Sequence, residues 1–271
     1  MTKFNKKLSH HHKSLQEIIM PKMATVKINL NGEDINFLFR ADSTGDKGVI
    51  NQIFINKDYD LQHTQHEKVL FNYIKNFQND TKFLIIDAGA NIGASAIFFA
   101  NKYKNSVIFT VEPDLFNYKL LSFNTQKLNC FNFHGAISNA DGKLALLDPN
   151  RSDWGFMTTE IQSEHKDNTV IVDSISPKSI LNHPYAEACL PLILKIDIEG
   201  GEQTLFKDDI AWLDLFPLVI IELHDWMLPF SGSSRNFLKA ISQFDFDLIH
   251  KGENIFLFNK RILKNFLDKP S

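Results

Sequence analysis

Lys195, Asp197 and Glu199 are separated by Ile196 and Ile198, and Glu222 and His224 are separated by Leu223. In an extended chain alternate residues share a face, so this spacing gathers three charged groups at one strand end and two more at the next. Buried parallel strands are normally apolar on both faces, and unpaired charge there is costly. Such groups either react or pair with one another, with Lys195 neutralising an acid, and a pair can itself position the group that reacts. His224 has the intrinsic pKa of a general base, with Asp197, Glu199 and Lys195 beside it. The same Asp197, Glu199, Glu222 and His224 are acceptable ligands for a divalent ion, an alternative that stays open beside the preferred metal-free reading.

A second constellation begins where the apolar run Phe83–Ile86 ends in Asp87, followed by Gly89, Asn91, Gly93 and Ser95. This reads as a buried strand, a turn in which Gly89 takes positive φ, and a helix whose first free N–H groups face a ligand. Val107–Pro113 is another buried strand, ending in Glu112. The separation 112 − 93 = 19 residues is close to the ~20 expected of a carboxylate that accepts the ribose hydroxyls of an adenosine cofactor. A dinucleotide turn would carry a further glycine for the pyrophosphate, and Asp87 would repel that group. The same carboxylate favours a cationic cofactor such as S-adenosylmethionine, with its sulfonium and ammonium. No tyrosine is followed four residues later by a lysine, the proton-transfer pair of some dehydrogenases. The methyl donor is therefore preferred. A non-catalytic binding module and a nicotinamide-dependent oxidoreductase are the alternatives.

These groups require an α/β frame. Thr25–Phe39 alternates around Asn31-Gly32, a hairpin signal. Val49–Ile55 is expected as a further strand and Gln65–Phe77 as a helix. Residues 1–64 thus form a tail and a small β-rich extension, and residues 65–271 the cofactor-binding domain. Leu115–Leu128 is predicted helical, with a third strand from Phe131. Leu192–Ile198, Leu218–His224, Phe246–His250 and Ile255–Phe258 are predicted strands, with helices over Glu202–Leu215 and Ser233–Phe244. The last two strands flank Lys251–Asn254, a hairpin. Between the third strand and Leu192, Ser138–Pro191 exceeds a simple crossover and holds Thr169–Ile175 as one strand of an inserted hairpin. Trp154, next to Gly155, is suited to a lid over adenine or acceptor.

The chain resembles the FkbM-type S-adenosylmethionine-dependent methyltransferases in Asp87–Gly93, Val111–Pro113, Asn124 with Leu128-Asn129, Thr169–Ile175, Lys195–Glu202 and Ile221–His224. The resemblance implies a doubly wound, Rossmann-like sheet of seven strands with the last reversed. It also implies O-methylation of a hydroxyl on a sugar, glycan or small natural product, with Asp197 against the donor. The strand-end reading itself puts Glu222 and His224 toward the acceptor, and Trp154 joins them as a lid or else serves as core. Gly135-Ala136 stands where an acid or amide often holds the adenine amine, which leaves Ser138 or backbone groups for that task.

Composition bounds the rest. Across 271 residues, 29 basic and 32 acidic side chains give a net charge of −3, with no footprint for nucleic acid. Cys130 and Cys189 are too few for a disulfide framework. No apolar stretch reaches the ~18 residues of a membrane span. Met1–Lys13 is polar and basic without an apolar run, so no secretory signal is read and a cytoplasmic enzyme is expected.

Overall fold

The computed structural model describes residues 21–147, 157–159, 169–227 and 229–267. β1 (Met23–Leu30) and β2 (Glu33–Arg40) pair antiparallel across Asn31-Gly32. Both turn residues have positive φ, 52° and 87°, which suits asparagine and glycine in a two-residue hairpin turn. Val49–Ile55, expected as a strand, is helical: α1 (Thr44–Ile50) runs into a π turn over Asn51–Ile55. Its buried residues Ile50, Ile53 and Phe54 have helical spacing, which a short apolar run does not distinguish from a strand. Ser43 starts the helix by accepting from the Asp46 N–H, and the Asp46 carboxylate is paired in turn with buried Arg40.

After α2 (Gln65–Lys75), capped by Thr64, strands and helices alternate. They are β3 (Phe83–Ala88), α3 (Ala94–Lys102), β4 (Ser106–Glu112), α4 (Leu115–Thr125) and β5 (Cys130–His134). A four-stranded side sheet follows: β6 (Ala136–Ile137), β7 (Gly142–Leu147), β8 (Met157–Thr159) and β9 (Val170–Ile175), ordered β6-β9-β7-β8. The β7–β9 pairing is antiparallel, as expected of an inserted hairpin. α5 (Pro177–Leu181) leads to β10 (Leu190–Ile196), α6 (Glu202–Leu205), β11 (Leu218–Glu222), α7 (Arg235–Ile241), β12 (Phe246–Lys251), β13 (Asn254–Asn259) and α8 (Lys260–Leu263). Glu202–Leu215 is not one helix: Asp209 takes φ 51° and splits it into α6 and a 3-10 turn over Ala211–Leu215.

The main sheet has the order β12-β13-β11-β10-β3-β4-β5. Its pairs from β5 to β11 are parallel, and β13 runs antiparallel to both β11 and β12, so it is the reversed strand. Phe83 and Ile85 fall in one buried cluster and Leu84, Ile86 and Ala88 in the other, which explains why β3 is apolar throughout. Truncating Ile85 to alanine in such a core costs ~2–5 kcal/mol. The first cluster also takes in Phe37 and Phe54, so the N-terminal segment shares the core of the main sheet. Strand order turns back between β3 and β10, and the crevice beyond their carboxyl ends is where ligands of open α/β sheets bind.

Candidate functional site

The turn after β3 is shaped by left-handed residues: Gly89, Asn91 and Gly93 have φ of 75°, 48° and 91°. Gly93 caps α3 and packs on Leu121. A Cβ on Gly89 would lie 1.7 Å from the Asp197 carbonyl oxygen, so only glycine lets the two loops meet. Asp87 is fully buried, accepts a 2.5 Å hydrogen bond from Ser95 Oγ and lies 3.2 Å from Lys195 Nζ. Lys195 Nζ also donates to the Gly89 carbonyl at 2.6 Å, which ties the turn to β10. Burial works against the lysine charge, but the Asp87 carboxylate outweighs it and holds the pKa above the ordinary value.

Glu112 closes the turn from β4. Its Oε2 accepts from the Asn91 N–H at 2.8 Å and its Oε1 from the Asp114 N–H at 2.9 Å. Burial pushes its carboxyl up to about 7 against the pull of these donors.

The five ionisable groups of β10 and β11 do converge, because the strands are parallel neighbours with Ile196 opposite Ile221. Simple alternation is not the cause beyond Ile196. The strand ends there, and Glu199 takes φ 53°, a left-handed bend that returns its carboxylate toward the others. His224 is 1% exposed. Its Nδ1 lies 2.8 Å from Glu202 Oε1, and its Nε2 lies 3.5 Å from Asp197, 3.6 Å from Glu199 and 3.6 Å from Glu222. Burial opposes a charge on the ring, yet the bonds to Asp197 and Glu202 and their charges push its pKa up to about 11. Asp197 feels the reverse: burial would raise it, but Lys195 and His224 bring it down to about 2. Burial, and then the Asp197 charge, pushes Glu222 up to about 8.

A cavity of about 510 Å³ joins both constellations. Gly89, Asn91 and Glu112 form one part of its wall, and Asp197, Glu199 and Glu222 another. Lys195, Ser95 and Gly93 stand behind this wall as braces of the turn and its helix, and His224 stands behind its carboxylates. Ser138 is buried and donates to Asn139, while Ala136 and Ile137 line the cavity beside it. Trp154 lies outside the described residues. Sequence reasoning missed Gln52 and Val49 on the misassigned helix, Trp226 and Met227 after β11, and Glu253 in the final hairpin turn, all of which line the cavity. It also missed the role of Glu202, although Glu202 falls inside the quoted Lys195–Glu202 motif. The available signal was the spacing of two acids, Glu199 and Glu202, three residues apart just past an apolar strand.

A parallel sheet reversed at one strand, with a glycine turn facing a strand-end acid, defines a Rossmann-like methyltransferase. The chain matches the family model of the methyltransferase FkbM domain over residues 87–250 and belongs to that family. It is an S-adenosylmethionine-dependent methyltransferase, and the site fits that donor, with the Gly89–Asn91 turn and the Glu112 and Asp197 carboxylates on one cavity. No curated protein matches it in sequence. Among solved structures it is similar to fibrillarin of Methanococcus jannaschii (9% identity, 86% of this chain and 80% of that one, TM-score 0.40). It is also similar to TYW2 of M. jannaschii in complex with AdoMet (13%, 89% and 86%, TM-score 0.36). A third likeness is precorrin-6y C5,15-methyltransferase of Geobacter metallireducens (9%, 71% and 84%, TM-score 0.36). Among the described residues no helix is long and apolar enough to cross a membrane.

Proposed function

We propose that the chain methylates a hydroxyl oxygen of a sugar, glycan or small natural product. One observation carries this reading: Asp197, Glu199 and Glu222 line the same cavity as Asn91 and Glu112, so carboxylates that accept from hydroxyls face the donor end. S-adenosylmethionine supplies an electrophilic methyl on a sulfonium. Glu112 and the Asn91 turn are suited to its ribose and Asp197 to its positive charge, while Asp87, enclosed and paired with Lys195, holds the turn. Lys195 keeps the turn and β10 in register, and positioning of this kind supplies most of the acceleration of a displacement.

We assign the hydroxyl proton to Glu222, whose side chain is 15% exposed on the cavity wall, rather than to His224, which is enclosed. As the oxygen–methyl bond forms and the sulfur–methyl bond breaks, that proton leaves on the Glu222 carboxylate and passes to solvent. Trp226, 67% exposed at the rim, offers an aromatic face to a ring-shaped acceptor. Residues 1–64 act as an extension of the 65–271 domain that contributes Val49 and Gln52 to the acceptor side. The two free cysteines support a reducing, cytoplasmic setting.

The test is transfer of labelled methyl from S-adenosylmethionine to a panel of sugars, glycans and hydroxylated metabolites, with the product bond assigned by NMR. A methyl ether is expected. Transfer only to nitrogen or carbon, or no transfer at all with the donor bound, would sink the reading.

A further inference from the structure

The arrangement around His224 Nε2 is not that of a simple ion pair. On the Nδ1 side Glu202 closes to 2.8 Å, a normal charge-assisted hydrogen bond. On the Nε2 side no described carboxylate comes nearer than 3.5 Å, and three oxygens from two chain segments, the one after β10 and the end of β11, stand at 3.5–3.6 Å. Ligand atoms about 2.1 Å from a shared ion at tetrahedral angles lie ~3.4 Å apart, close to these separations. The candidate ligand atoms of Asp197, Glu199 and His224 all fall within 4.8 Å of one another. The histidine is 1% exposed and aimed into this group, and its far nitrogen is fixed by Glu202, which is 0% exposed. A buried carboxylate behind a histidine is the outer partner that orients a metal-bound imidazole.

We propose that Asp197, Glu199 and His224 bind one divalent cation, with Glu202 orienting the histidine. One imidazole with two carboxylates suits Mn²⁺ or Zn²⁺, and three protein ligands leave positions open toward the cavity. Asp197 and Glu199 line that cavity, so the ion faces the acceptor. Two formal negative charges on the ligands match its double positive charge. The role of the ion rests on the hydroxyl-methylation reading above: held at an open position, the hydroxyl becomes more acidic and yields its proton to Glu222. The site departs from the metal-free reading of the sequence, because alternation alone places neither the bend at Glu199 nor Glu202 behind the ring.

The full-length protein, stripped with chelator and desalted, is titrated with MnCl₂ while free Mn²⁺ is followed by electron paramagnetic resonance. S-adenosylmethionine affinity is measured in parallel by calorimetry. One Mn²⁺ per chain, displaced by Zn²⁺, is expected. Glu199→Gln should weaken Mn²⁺ by about tenfold or more with donor affinity within about twofold, which shows that the variant is folded. Glu199→Asp, shorter by one methylene and at home in a left-handed bend, is the second variant and should also weaken it. Failure of Mn²⁺ and Zn²⁺ to bind the wild type, or equal binding by wild type and both variants, overturns the site; in the first case His224 is a buried imidazolium only. Those outcomes leave donor binding intact. Loss of donor binding by the wild type would instead overturn the methyltransferase reading, with the ion titration standing on its own.

Discussion

Gly89 and Asp197 touch through their backbones: a Cβ on the glycine would lie 1.7 Å from the aspartate carbonyl oxygen. The turn that faces the donor and the segment that carries the acceptor-side carboxylates are therefore one packed unit. Gly89→Ala must push them apart and must also hold φ 75°, a conformation that costs an L-residue ~1–2 kcal/mol. The expected result is a lower melting temperature and at least tenfold weaker donor binding. Unchanged calorimetric affinity would show that the loops separate without consequence.

Glu112 gives a pH dependence with a definite sign. Burial pushes its carboxyl up to about 7, and in the proposed ribose role only the ionised form can accept from both hydroxyls. Donor affinity should rise as pH increases through 7 and level off above it, falling by about tenfold per unit well below the pKa. Calorimetry in buffers of different ionisation enthalpy should show proton release on binding below pH 7. Glu112→Ala should abolish that release and weaken binding ~10-fold or more. A flat profile from pH 5.5 to 8.5 would remove Glu112 from the donor site.

Glu202→Gln keeps the shape behind His224 and removes the charge. Divalent-ion affinity should drop ~10–100-fold with donor affinity unchanged. Chelator should lower turnover of the wild type, and added Mn²⁺ should restore it. Full turnover in chelator would separate the ion from the chemistry.

The sheet was legible because its strands are apolar on both faces and end in acids, and β3, β4, β10 and β11 lie where those runs predict. The five charges of β10 and β11 were found by spacing, but the reason for their convergence was not. Alternation stops at Ile196, and the left-handed bend at Glu199 does the rest. Val49–Ile55 is misread because a short apolar run suits either element, while the local helix signals, the Ser43 cap on Asp46 and the Arg40–Asp46 pair, lie just before it. Trp226 and Glu253 carry no periodic signal at all, since they sit in turns whose placement is set by the whole sheet.

Trp226→Ala should raise the acceptor KM and leave donor affinity alone, since the side chain lines the cavity with 67% of its surface exposed and is the aromatic face proposed for the acceptor. An aromatic contact worth ~0.5–1.5 kcal/mol translates to roughly two- to twelvefold in KM. Equal steady-state constants for both proteins would place the acceptor elsewhere.

Asp46→Ala removes the carboxylate that Arg40 pairs with in the N-terminal segment, while the guanidinium keeps its bond to Asn117 of α4. Losing hydrogen bonds to a buried charged partner should cost ~1.5–3 kcal/mol in denaturant unfolding. A single transition shifted as a whole would show that the N-terminal segment unfolds with the main sheet, and two transitions that it does not.

Gln52 donates to Glu253 across 201 residues of chain and joins two walls of the cavity. Both residues fall outside the 87–250 stretch by which the family is recognised. Kinship and taste are thus inscribed in different parts of the molecule. The shared stretch carries Gly89, Asn91, Glu112 and Asp197 of the cavity wall, while Val49, Gln52 and Glu253 of the two flanks complete it without touching the Gly89–Asp197 contact. If the acceptor binds as proposed, exchanging the flanks should change which acceptor is taken and leave the Gly89–Asp197 unit in place.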